Sequence, residues 1–134
     1  MIAVDTSALL AILFGEPERE QFQTILDNSD ALTISAGTLI EARIVTRRRA
    51  GDDMVELLHG LIEQAQIKIE PVTDHHAIIA HEAFRKYGKG NGHPAQLNFG
   101  DLFSYALAKA RNAPLLFKGN DFAATDVLPA VKAA

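Results

Sequence analysis

Cysteine is absent from the sequence. A disulfide-built scaffold and a Cys-ligated zinc site are therefore both excluded. No apolar run approaches the roughly 18 residues that a membrane-spanning helix needs. The start of the chain has no basic stretch followed by an apolar run and a cleavage site, so a soluble, cytoplasmic protein is expected. Positive charge is not in excess: 13 Lys and Arg face 17 Asp and Glu, for a net charge of −4. That balance argues against a protein that coats nucleic acid through net charge, and leaves room for a local basic patch. No repeat or low-complexity tract divides the chain. The His-Glu-x-x-His zinc motif is missing, and His76 and His81 are five apart rather than four. His75 and His76 read as surface or capping residues, and His93 as a shaper of its loop. Gly88-x-Gly90-x-Gly92 is not a Gly-x-Gly-x-x-Gly fingerprint and reads as a flexible turn.

What is present is an alternation of short apolar runs with helical patterns. The 134 residues suit a single domain, 1–134. Strands are predicted over Met1–Val4, Ala31–Ile34, Ile67–Val72 and Leu115–Lys118, with a short fifth near Val127. Helices are predicted over Ser7–Phe14, Glu18–Leu26, Thr38–Arg49, Met54–Ala65, His76–Tyr87 and Phe99–Arg111. Leu39, Ile40, Ile44 and Val45 supply the inner side of the third helix, which Gly51 ends. Asp52 and Asp74 are the expected caps of the fourth and fifth. Gly88–Asn98 reads as a loop, and Asn120–Ala134 as an irregular tail. The pattern predicts an α/β domain whose central parallel sheet of four to five short strands is flanked by helices.

In an open parallel sheet, sites form outside the carboxyl ends of the strands. Asp5 directly follows the first strand. Glu41 lies about one turn inside the helix after the second. Asp121 follows the fourth strand through the Gly119-Asn120 turn. Asp101 opens the helix that feeds that strand. The preceding helix runs about 18 Å away from the edge, and the Gly88–Asn98 loop can span up to roughly 36 Å to return. All four acids then converge, with Asp126 as a possible fifth. Two carboxylates 4 Å apart repel by about 4 kcal/mol at an effective dielectric near 20. Several such pairs rival a domain's stability of about 5–15 kcal/mol. Either the acids take up protons or a divalent cation sits among them. Carboxylate oxygens suit Mg²⁺ or Mn²⁺ rather than zinc, and such sites serve phosphoryl chemistry.

At these residues the sequence resembles the PIN-domain family, and specifically its VapC-type toxin ribonucleases. Met1-Ile2-Ala3-Val4-Asp5-Thr6-Ser7 is similar to the family's strand followed by Asp-(Ser/Thr)-Ser. Glu41 within Thr38-Leu39-Ile40-Glu41-Ala42 resembles its second acid. His93-Pro94-Ala95-Gln96-Leu97-Asn98-Phe99-Gly100-Asp101 is the most specific match and carries the third. Leu115-Leu116-Phe117-Lys118-Gly119-Asn120-Asp121-Phe122, with Thr125-Asp126 beyond, resembles the closing segment. The resemblance covers nearly the whole chain. It implies a PIN-like fold and a Mg²⁺-dependent endoribonuclease of a type II toxin–antitoxin pair, with Mn²⁺ as a substitute. It further implies inhibition by a VapB-type antitoxin and a homodimer. Asp5, Glu41, Asp101 and Asp121 would be the catalytic and metal-binding quartet, with Asp5 and Asp101 the most direct ligands. Thr6 or Ser7 would orient Asp5 or a water. Whether Asp121 or Asp126 fills the last position stays open at this point.

Among the basic residues, Arg43, Arg47, Arg48 and Arg49 form the densest cluster. They suit a helix C-terminus, or phosphate contacts beside the acids. Arg48 is seven residues after Glu41 and shares its helix face. Arg43, Arg48 and Asn120, with Thr6, Ser7 and Asp126, are candidate contacts to substrate or antitoxin. Lys86, Lys89 and Lys118 read as solvated. Phe14, Phe22, Phe84, Phe99 and Phe103 read as core or dimer surface. Apolar helix surface on Ser7–Leu26 and Leu57–Ile62 is compatible with dimer and antitoxin contacts. Two other readings remain at this stage: a catalytically weak antitoxin-binding and operon-regulating module, and a DNA-directed metal nuclease. A haloacid-dehalogenase phosphatase would want Asp at position 7, where Ser stands.

Overall fold

The computed structural model describes residues 1–131. Its elements are β1 (Ile2–Val4), α1 (Thr6–Leu13), α2 (Arg19–Asn28), β2 (Leu32–Ser35), α3 (Ala36–Ala50), α4 (Asp52–Gln64), β3 (Lys68–Glu70), α5 (Asp74–Tyr87), α6 (Phe99–Arg111) and β4 (Leu115–Leu116). The four strands form one parallel sheet in the order β3-β2-β1-β4. β1 is its pivot, with Ala3 opposite Thr33 of β2 on one side and Val4 opposite Leu116 of β4 on the other. Strand order therefore reverses at β1, and ligand crevices form at the carboxyl ends of strands where it does so. Asp5 stands at that point.

Alternate residues of each strand face opposite ways, and the core divides accordingly. Val4, Ile34 and Leu116 pack with Leu9, Phe22, Leu39, Leu58 and Ile62 of α1 to α4. Ala3 and Leu115 pack with Ala83, Tyr87, Leu97, Leu107 and Phe122, beneath α5 and α6. Helices thus cover both faces of the sheet, which is why the strands read as continuous apolar runs. The Gly88–Asn98 loop is tied down where Leu97 N–H donates to Tyr87 O (2.8 Å). His93 shapes it as expected, its Nδ1 accepting from Ala95 N–H at 3.0 Å and its ring meeting Tyr87 edge-on.

Several local expectations are corrected. Ile40 and Ile44 are exposed; the inner side of α3 is Leu39, Ala42 and Thr46, with Gly37 and Thr38. The third helix meets α1, α4 and α6 at once, so small and hydroxyl residues, not the bulkiest apolar ones, occupy its inner side. Thr73, not Asp74, caps α5 through its hydroxyl, and Asp52 is the first residue of α4 rather than its cap. Gly51 separates α3 from α4 with φ at 86°, a conformation that glycine adopts without strain. His76 is buried, not on the surface. Of the phenylalanines, Phe22 is core and Phe103 packs on Gly37, while Phe84 and Phe99 are exposed and Phe14 lies under Arg49. The strand near Val127 is a single bridge between Leu115 and Pro129. The expected irregular tail includes residues 132–134, which lie outside the described residues.

Candidate active site

Asp5 leaves β1 and becomes the N-cap of α1. Its Oδ2 accepts from the Ser7 N–H (3.1 Å) and the Ser7 hydroxyl (2.7 Å). Its Oδ1 accepts from Ser104 Oγ at 2.5 Å. Ser7 Oγ in turn accepts from the Lys118 N–H at 2.9 Å, which ties the turn after β4 to Asp5. Ser7 therefore holds the Asp5 carboxylate through both its N–H and its hydroxyl. Thr6 turns elsewhere: its hydroxyl donates to Thr38 O at 3.2 Å, and it lies beside Glu41, whose charged form it favours.

Glu41 projects from α3 toward the start of α6, and its carboxylate occupies the space that a Cβ on Gly100 would fill. Burial pushes its carboxyl above the usual range; the Thr6 hydroxyl opposes this and the charge of Asp5 adds to it. Asp101 opens α6 in a reciprocal capping box. Its Oδ2 accepts from Asn98 N–H and its own N–H donates to Asn98 Oδ1, both at 3.0 Å. Burial raises the Asp101 carboxyl to about 7, against the pull of Asn98 and with the help of the charges on Asp5, Asp121 and Glu41. Asp121 is exposed in the turn after β4, beside the equally exposed Asn120. The four acids thus come together from four segments.

Asp126 does not join them. It accepts from Tyr105 Oη at 2.5 Å and from Lys109 Nζ at 3.0 Å. With Ile79, Arg85, Tyr87 and Tyr105 it lines an open hollow of about 550 Å³. Asp121, whose charge reaches Asp101, is the fourth member of the cluster.

Among the described residues, none of the four carboxylates has an ion-pair partner. Lys118, expected to be solvated, is clasped by Glu16 and Glu18 at 3.2 and 3.1 Å. The donor set is all oxygen and its negative charge is unbalanced, which fits a hard divalent cation. Among the described residues no three such side chains already enclose a metal position.

Arg43 and Arg48 are exposed on α3 and make no ion pair among the described residues. Arg47 pairs with Asp52 at 2.9 Å, and Arg49 stacks 4.1 Å above the Phe14 ring. On the other side, Ile12, Leu13, Arg19, Leu57 and Leu61 line an open groove of about 700 Å³ between α1, α2 and α4. Two residues at the acids escaped the sequence reading. Ser104 lies three positions after Asp101, and so on the same face of α6. Gly100 is a glycine inside a helical pattern, a sign of close approach.

The chain matches the PIN domain family over residues 2–128 and belongs to it. Ribonuclease VapC28 of Mycobacterium tuberculosis is 45% identical to it over 124 residues, covering 92% of this chain and 93% of that protein. The crystal structure of Mycobacterium tuberculosis VapC20, a Sarcin-Ricin loop cleaving toxin, superposes with a TM-score of 0.78 at 19% identity. That likeness of fold covers 96% of this chain and 97% of the other. A toxin–antitoxin complex from Klebsiella pneumoniae holds the same fold, with a TM-score of 0.66 at 17% identity over 92% and 91% of the two chains.

Proposed function

We propose that this chain is a divalent-metal-dependent endoribonuclease, the toxin of a type II toxin–antitoxin pair, formed by a single domain and acting in the cytoplasm. The observation that carries the reading is the convergence of Asp5, Glu41, Asp101 and Asp121 without an ion-pair partner among the described residues. Kinship with VapC ribonucleases supports RNA as the substrate and a VapB-type antitoxin as the partner. A homodimer is carried over from the family resemblance.

Asp5 and Asp101 would hold the cation, Mg²⁺ with Mn²⁺ as a substitute, and Asp121 and Glu41 would complete its surroundings. When bound, it lowers the pKa of a water and balances charge on the scissile phosphate. Asp5 is anchored by three donors and so presents a fixed carboxylate. Glu41, whose carboxyl is raised by burial, is the group suited to take the proton of the attacking water. Arg43, Arg48 and Asn120 lie exposed near the acid-bearing segments, where they can meet phosphates of the RNA. The groove between α1, α2 and α4, where Ile12, Leu13, Leu57 and Leu61 lie among Arg19, Glu56 and Glu63, offers a seat of mixed character for the antitoxin.

The test uses antitoxin-free chain with a mixed RNA and tRNA panel in Mg²⁺ or Mn²⁺, beside EDTA and Asp101→Asn. Metal-dependent cleavage that the variant loses is the expected result. Cleavage that survives both EDTA and Asp101→Asn would sink the metal mechanism. No cleavage by folded chain with bound metal would favour a binding module.

A further inference from the structure

Ser104 is 1% exposed and Thr38 is fully buried, and their hydroxyls meet at 2.9 Å between α6 and α3. The direction of that bond follows from counting protons. A serine hydroxyl has one hydrogen. Ser104 gives its hydrogen to Asp5 Oδ1, since an ionised carboxylate can only accept. Thr38 must therefore donate to Ser104. Each oxygen of Asp5 then receives a hydroxyl that is itself fed by a donor: Thr38 to Ser104 to Oδ1, and the Lys118 N–H to Ser7 to Oδ2. Chains of this kind polarise each bond in the direction of the acceptor.

We propose that Ser104, backed by Thr38, is a positioning residue that fixes the Asp5 carboxylate for the divalent cation. Its place explains the need. Asp5 and Asp101 come from segments almost a hundred residues apart, and only packing sets the distance between them. Ser104 lies one helical turn beyond Asp101 on the same face of α6, so its bond to Asp5 indexes α6 directly onto the end of β1. Thr38 lies three residues before Glu41 and adds α3 to the same register. Ser7 does this for the turn that carries Asp121. Two hydroxyl relays that meet at Asp5 therefore set the relative places of all four acids. Partners that orient metal-ligating side chains typically matter by 10- to 100-fold in metal affinity.

The inference rests on the metal reading proposed above, and its test separates the two. Mn²⁺ binding is measured by calorimetry, without RNA, on the wild-type chain, Ser104→Ala and Ser104→Cys, each checked by metal-free thermal unfolding. Cysteine leaves no cavity, although its sulfur is bulkier than the serine oxygen, and it donates weakly, so it guards against a variant that fails by leaving a void. Affinity is expected to fall in the order wild type, Cys, Ala, with Ala weaker by about 10-fold or more. RNA cleavage by Ser104→Ala should recover toward wild type as Mn²⁺ is raised to saturation. A purely structural Ser104 would lower the unfolding temperature and leave affinity unchanged. Wild-type binding with Ser104→Ala inside twofold of it would overturn the inference alone. A folded wild-type chain that binds no Mn²⁺ would overturn the metal reading and the inference with it.

Discussion

Two regions of this molecule hold acids below the surface and hold them in opposite ways. At the Arg111 end of α6, burial disfavours a charged Glu70, but Arg111 and the Thr33 hydroxyl outweigh it and hold the carboxyl below its usual range. Asp126, though its side chain is half exposed, is treated alike: Tyr105 and Lys109 outweigh the effect of burial and keep it low. At the end of β1, around Asp5, burial and neighbouring carboxylates push Asp101 and Glu41 up, with no cation partner among the described residues. The residue types are the same. What differs is whether the protein supplies the counter-charge. Where it does, the acid serves the fold; where it does not, the charge is left for something from outside.

The sharpest way to break that contrast is to neutralise one acid from each region. Asp101→Asn should lower RNA cleavage by roughly a hundredfold or more, because a lost metal contact removes several kcal/mol of charge stabilisation. Glu70→Gln should leave cleavage near wild type and instead lower the unfolding temperature, by about 4 °C for each kcal/mol lost. Equal losses of cleavage would erase the distinction.

pH should act on the two regions with opposite sign. A carboxyl raised by folding favours the folded chain only while protonated. The contribution of Asp101 is therefore full below about pH 4, the unfolded value. It is lost as pH rises through about 7. Glu70 and Asp126 are lowered, so their contribution is present above the ordinary carboxylate range and lost as pH falls through it. By scanning calorimetry without metal, Asp101→Asn should gain unfolding temperature over wild type at pH 8 and little at pH 4. Mg²⁺ should raise the wild-type value at pH 8 and have little effect at pH 5, since the cation competes with the proton. A gain that is the same at pH 4 and pH 8 would contradict the assignment.

Gly100→Ala separates the site from the fold more finely. The three atoms nearest the added Cβ all belong to the Glu41 carboxylate, the far end of a flexible side chain, and alanine favours a helix by up to about 1 kcal/mol over glycine. Stability should hold or rise slightly, while cleavage falls about tenfold as Glu41 is displaced from its place in proton transfer. A variant that keeps full activity would remove Glu41 from the chemistry. The smallest effect is expected from Arg43→Ala and Arg48→Ala. Each should weaken RNA binding to an Asp101→Asn chain and reduce the salt slope by about one if it meets a phosphate.

The alternation of elements and the parallel sheet were legible because buried strands and amphipathic helices write their periods into the chain. So was the placing of the four acids, since each lies just after a strand or within the first two turns of a helix at the same edge. Less was legible where neighbours decide. Ile40 and Ile44 look like core on a helical wheel, yet α3 turns Gly37, Thr38 and Thr46 inward. Asp121 and Asp126 could not be told apart along the chain. Tyr105 and Lys109, seventeen or more residues away, claim Asp126 and leave Asp121 to the cluster. Periodicity and capping are local, so the sequence alone determined the elements and the edge on which the acids fall. Which hydroxyl holds which carboxylate, and which acids receive a counter-charge, depends on contacts between distant segments. Only the packing of α3 and α6 against the end of β1 decided that.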